Sequence, residues 1–252
     1  VSSRSILALL LASIVALAGC AAETTEQPEP AQPESAQPVA KHEPAAKSKP
    51  KAQAARKRRR RIGTAAYMLR RLKVRAAAGS ASYDRERFGG WRTRDGCTTR
   101  ERVLIKESRR GREAGCHVRR GFWLSVYDGE RTRDPSDFDI DHLVPLGEAW
   151  VSGARRWTPG TSERYTNDLG YSGTLRAVSA GSNRAKGDQD PASWMPPRAI
   201  HHCKYIGTWI AVKYRWRLTI DRAERAVLWR YVDRCARKSD VPIPDRARVR
   251  YS

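Results

Sequence analysis

Apolar and polar positions alternate through Asp137-Phe138-Asp139-Ile140-Asp141, which predicts a half-buried strand with Phe138 and Ile140 on one face. Val144-Pro145 then ends simple ladder pairing, because proline lacks an amide donor. Gly121 to Gly129 predicts a second strand in which Trp123 and Tyr127 share a face and Asp128-Gly129 supplies a hairpin turn. It is expected to pair close to the Phe138 strand. Thr174 to Val178 predicts a further strand, and Ser179 to Ser182 a turn of small residues. Val103-Leu104-Ile105 suits either a strand or one face of a helix.

Helical spacing dominates the C-terminal part. Ile206, Trp209, Ile210 and Lys213 predict a helix from Cys203 to Trp216. Asp221, with Glu224 three residues later, predicts the start of another that runs to about Ala236. Each is roughly 20 Å long at 1.5 Å per residue. The turn between them is short, so they should be antiparallel neighbours. Weaker helical signals lie at Gly147 to Val151 and Thr161 to Asp168, and Asn183 opens a helical or looped segment toward Pro191. The mixture predicts an α+β domain over 83–240 and a tail over 241–252. Tyr67 to Ala78 reads as a short basic helix or as more linker.

Charge changes the picture. The chain has 252 residues and a net charge of +22, which favours a polyanionic partner: nucleic acid, anionic lipid or an acidic wall polymer. Residues 1–19 have the pattern of an export leader, with Arg4 before an apolar run from Ile6 to Leu17. Leu17-Ala18-Gly19-Cys20 resembles the lipobox of bacterial lipoproteins. That resemblance implies lipidation of Cys20, a membrane partner through the lipid anchor, and an exported protein on the outer side of a bacterial cell membrane. Residues 20–82 are expected to be a disordered tether, acidic and proline-rich at first, then basic through Arg56-Lys57-Arg58-Arg59-Arg60-Arg61.

Four more cysteines follow: Cys97, Cys116, Cys203 and Cys235. Three pairings are possible. The antiparallel helices bring Cys203 beside Cys235, which leaves Cys97 to Cys116.

The candidate chemistry centres on Asp141-His142 and Asn183. A phosphodiester resists attack because its oxygens are negative, and a divalent ion can take that charge. Carboxylate and amide oxygens suit a hard ion such as Mg²⁺. An imidazole can take a proton from water near neutral pH. No His-Glu-x-x-His set is present to suggest a zinc hydrolase.

Asp141-His142-Leu143-Val144-Pro145 with Asn183-Arg184-Ala185-Lys186-Gly187-Asp188 resembles the HNH nuclease superfamily. It is most similar to secreted actinobacterial proteins of the DUF1524 branch, related to the C-terminal domain of GmrSD-type restriction enzymes. Gly96-Cys97-Thr98-Thr99-Arg100 and Trp194-Met195-Pro196-Pro197 extend the resemblance, which covers roughly residues 83–236. It implies a ββα-metal core with the helix hairpin added to it. It implies His142 as general base and one divalent ion on Asp141 and Asn183, Mg²⁺ first, with Mn²⁺ or another ion as alternatives. The family's middle asparagine would fall on Thr174, and Asn167 is the nearest other amide. Arg184 and Lys186 would touch substrate phosphate. The expected activity is a DNA endonuclease of low sequence specificity, with DNA favoured over RNA and the protein a monomer. The competing expectation is a non-catalytic lipid-tethered protein that binds DNA or anionic wall polymer.

Overall fold

The structure is a computed structural model, and it describes residues 63–110 and 115–252. In chain order the elements are helix α1 (Thr64–Leu69), strands β1 (Thr93–Arg94) and β2 (Cys97–Thr98), and helix α2 (Thr99–Glu107). Strands β3 (Trp123–Leu124), β4 (Arg131–Thr132) and β5 (Phe138–His142) follow. Then come α3 (Leu146–Val151), α4 (Pro159–Thr166), β6 (Leu175–Ser179), α5 (Ala180–Lys186), α6 (His202–Trp216) and α7 (Arg222–Cys235). This is an α+β fold.

β5 and β6 form an antiparallel pair from Phe138↔Ser179 to His142↔Leu175. On one face Phe138, Ile140, Leu175 and Ala177 pack with Val103, Leu104 and Trp123. The Val103-Leu104 stretch is therefore helical. Thr98 and Glu101 cap the start of α2 reciprocally, each side chain bonding the other's backbone amide. α5 crosses the opposite face. Ser179 accepts from the Ser182 amide and caps it, so the small residues expected as a turn begin a helix. Two strands with a helix after the second are consistent with an HNH-like core.

The second hairpin differs from expectation. β3 covers only Trp123–Leu124 and pairs with Arg131–Thr132 rather than with the Phe138 strand. Tyr127 leaves the ladder and is buried in the larger core instead.

That core lies between α6, α7 and α1, around Trp209, Ile210, Leu228 and Met68. α6 is buried on most of its circumference because α1 and α7 both pack on it. The packed unit thus includes chain before Tyr83. It also includes the tail, where Val241 and Ala247 are buried and Tyr251 bridges to Trp157. At Gly207 a side chain would meet the Ser239 carbonyl carbon and oxygen, so only glycine lets the two backbones approach this closely.

Both expected disulfides form, Cys97–Cys116 and Cys203–Cys235, with Cα separations of 4.9 and 5.6 Å. The expected membrane partner and lipid-anchored localisation are corrected here. All four described cysteines are consumed in these bridges and offer no thiol to a lipid, and no described helix is long and apolar enough to cross a membrane. Cys20, the leader and the run Arg56 to Arg61 lie outside the described residues.

Candidate functional site

Successive side chains of a strand point to opposite faces. Asp139 and Asp141 therefore face α5, while His142 shares the other side of β5 with Phe138 and Ile140. The two residues expected to cooperate leave the strand in opposite directions.

Asp141 is almost wholly enclosed. Its Oδ1 accepts from Lys186 Nζ at 2.7 Å and its Oδ2 from the Tyr127 hydroxyl at 2.5 Å. Lys186, 0% exposed, also donates to the His142 carbonyl at 3.0 Å. Burial raises the Asp141 carboxyl above its ordinary value, and Lys186 pulls it back. One turn earlier on α5, Asn183 donates to Asp139 Oδ2 at 3.0 Å, not to Asp141.

His142 is held by a backbone group. Its Nε2 lies 2.9 Å from the Thr166 carbonyl oxygen. A carbonyl only accepts, so Nε2 carries the proton and Nδ1 keeps the lone pair. Trp91 and Tyr165 both stack on the ring, with centroids 5.3 and 5.9 Å away. Burial depresses the imidazolium to about 4, and the charges of Lys186 and Arg85 add to the effect. The ring is therefore neutral over the physiological range.

The loop that offers the Thr166 carbonyl is braced at Asp168. That carboxylate accepts from Thr174 Oγ1, Arg215 Nε and Trp216 Nε1, each at 2.8 Å. Thr174 thus steadies the loop beside His142 without touching the imidazole. Asn167 works on the neighbouring segment. Its Oδ1 accepts from the Arg92 amide at 2.8 Å and from Thr99 Oγ1 at 2.7 Å, and its Nδ2 donates to the Gly90 carbonyl at 3.1 Å. It fastens the chain on both sides of Trp91.

Among the described residues no three His, Cys, Asp or Glu side chains gather as a metal site. Asp141 and Asn183 do not fit a divalent ion as they stand. Both Asp141 oxygens are taken, and the buried Lys186 already supplies the positive charge an ion would bring. Lys186 is likewise withdrawn from any substrate phosphate, whereas Arg184 is exposed on the same helix. Asp188 accepts from the Gly147 amide and steadies the start of α3.

Sequence reasoning missed three participants. Trp91 carries an ambiguous aromatic signal after two glycines. Thr166 acts through its carbonyl, which any residue would supply. Tyr127 is placed by the break in its strand.

Residues 102–230, about half of the chain, match the model of the family described as GmrSD restriction endonucleases, C-terminal domain. A protein of Arthroderma benhamiae (strain ATCC MYA-4681 / CBS 112371), described as an "Uncharacterized secreted protein", is 40% identical over 174 residues. The alignment covers 68% of this chain and 85% of that protein. No solved structure matches.

Proposed function

Because the chain belongs to the family of GmrSD restriction endonuclease C-terminal domains, we propose that it hydrolyses phosphodiester bonds of nucleic acid, acting on DNA with little sequence preference and with His142 as general base. Membership supports nuclease-like hydrolysis at the level of the family. The finer reading rests on one observation: the Thr166 carbonyl holds the proton on Nε2 and leaves the lone pair on Nδ1. A base acts through one nitrogen, and its tautomer must be set by a partner on the other. In this reading Thr174 and Asn167 position the base rather than touch the reacting atoms, and Arg184 meets phosphate.

The family chemistry is metal-dependent, and the resemblance implies an ion on Asp141 and Asn183. That pair does not fit an ion in the arrangement described, so the proposal takes no step through one. Asp141 is assigned instead to hold Lys186, which in turn fastens the His142 backbone.

Two observations favour a second reading, binding without cleavage: His142 lies under Trp91, and both Asp141 oxygens are paired. Plasmid incubated with the full chain separates the two. Nicking in Mg²⁺ or Mn²⁺ that stops with EDTA and with His142→Ala supports the enzyme. Retention of plasmid without nicking by the wild type, in every metal tried, overturns it.

A further inference from the structure

Away from His142, the segment 71–75, the turn after α6 and the C-terminal tail enclose a groove of about 520 Å³. Its lining includes Arg71, Lys73, Arg75, Arg156, Arg217 and Arg246, and no Asp or Glu. None of the six forms an ion pair among the described residues. By contrast, Arg92 is matched by Glu163 and Arg215 by Asp168.

Backbone bonds, not counter-ions, hold these cations together. The Arg75 amide donates to the Ile220 carbonyl at 2.9 Å, and the Ile220 amide to the Lys73 carbonyl at 3.0 Å. Arg217 takes the left-handed conformation that ends α6, with φ of 57°. Arg246 lies over the Tyr214 ring and donates to its carbonyl. Gathering like charges in a concavity costs repulsion that an anion relieves. At the rim Tyr251 is 51% exposed, with the Arg156 guanidinium 5.6 Å from its ring centre. An exposed aromatic face beside cations is the pairing that holds single-stranded nucleic acid: bases stack while phosphates are neutralised.

We propose that this groove is a binding site for the sugar–phosphate backbone of a nucleic-acid strand, with Tyr251 as a stacking face. The choice of nucleic acid over another phosphate polymer rests on the function proposed above together with Tyr251. Arg246 in this groove and Arg248 beside Asn167 lie on the same C-terminal segment. A strand held here therefore engages chain that continues toward the loop bracing His142.

The test measures binding of the full chain to a short labelled single-stranded oligonucleotide in EDTA, across a salt series. Lys73→Gln/Arg75→Gln/Arg217→Asn is expected to weaken binding about tenfold and to make the salt slope shallower by about 2, since each lost phosphate contact removes about 0.7. The same charge removed from the exposed face of α7, in Arg225→Gln/Arg230→Gln/Arg234→Gln, is expected to change binding less than about twofold. Tyr251→Leu should weaken oligonucleotide binding and leave inorganic polyphosphate binding unchanged. Lys73→Gln alone, on an exposed side chain, should carry part of the loss and keep the wild-type thermal midpoint. Equal losses in the two triple variants overturn the site. Polyphosphate binding with no oligonucleotide binding overturns its ligand. A wild type that binds through the groove but never nicks plasmid sinks the enzyme reading and leaves the groove standing.

Discussion

Trp91 lies flat over His142, with the ring planes 7° from parallel and the centroids 5.3 Å apart. The indole excludes water from the imidazole, and exclusion of water is the main cause of its depressed proton affinity. Asn167 keeps the indole there by bonding the backbone on both sides of it. Trp91→Ala should readmit water and raise the His142 value from about 4 toward the ordinary 6.5, by roughly one unit or more. Trp91→Phe should leave it nearly unchanged. An NMR titration of the His142 ring reads this directly. An unchanged value in Trp91→Ala would show that other neighbours keep the ring dry.

The Asp141–Lys186 pair sits in the interior with both partners almost fully enclosed. Removing one member strands a buried charge, whereas removing both does not. Lys186→Met should therefore cost about 3–5 kcal/mol of stability. Asp141→Asn/Lys186→Met should cost clearly less than the two single changes added together. Denaturant midpoints of the four proteins give the cycle. Additive costs would mean that the two charges are solvated and independent. Millimolar Mg²⁺ should leave the thermal midpoint of the wild type unchanged, because the ammonium already occupies the carboxylate.

The parts of the fold that were legible are those written in periodicity. The Phe138 to His142 alternation, the spacing on α6 and the Asp221 cap each named their element. The antiparallel helices then gave Cys203–Cys235. The β3 hairpin was misread because Trp123 and Tyr127 keep strand parity although the chain turns away after Leu124. The small residues after β6 suited a turn equally well until the Ser179 cap made them a helix. At the site, Asp141-His142 and Asn183 were visible as a motif, but their partners were not. A motif names side chains of the right type. It does not show that Lys186, three residues beyond Asn183, is long enough to reach Asp141 first. Nor could it show that the orienting group for His142 is a backbone carbonyl.

Glu224 lies in the core with Lys213 and Glu148, two carboxylates against one ammonium. Lys213 Nζ is 2.6 Å from Glu148 Oε1 and 2.7 Å from Glu224 Oε2. Burial pushes the Glu224 carboxyl up to about 7 from an ordinary 4.5, against the pull of Lys213. Between those values the folded chain holds a proton that the unfolded chain has shed. Stability from this group is thus largest in acid, falls as pH rises through the window, and is level above about 7. His142 works in the opposite direction, since its folded form binds its proton less tightly than the unfolded chain does, so the comparison must be a difference between two proteins. Glu224→Gln keeps an acceptor for Trp209 Nε1, bonded at 2.6 Å, and leaves Lys213 matched to Glu148 alone. Relative to the wild type, the variant should gain stability as pH rises from about 5 to 7, by at most roughly 3 kcal/mol at 1.36 kcal/mol per pKa unit. Urea midpoints of both proteins at each pH measure that difference. Parallel curves would mean that Glu224 is ionised throughout and that the buried triad carries its surplus negative charge without a proton.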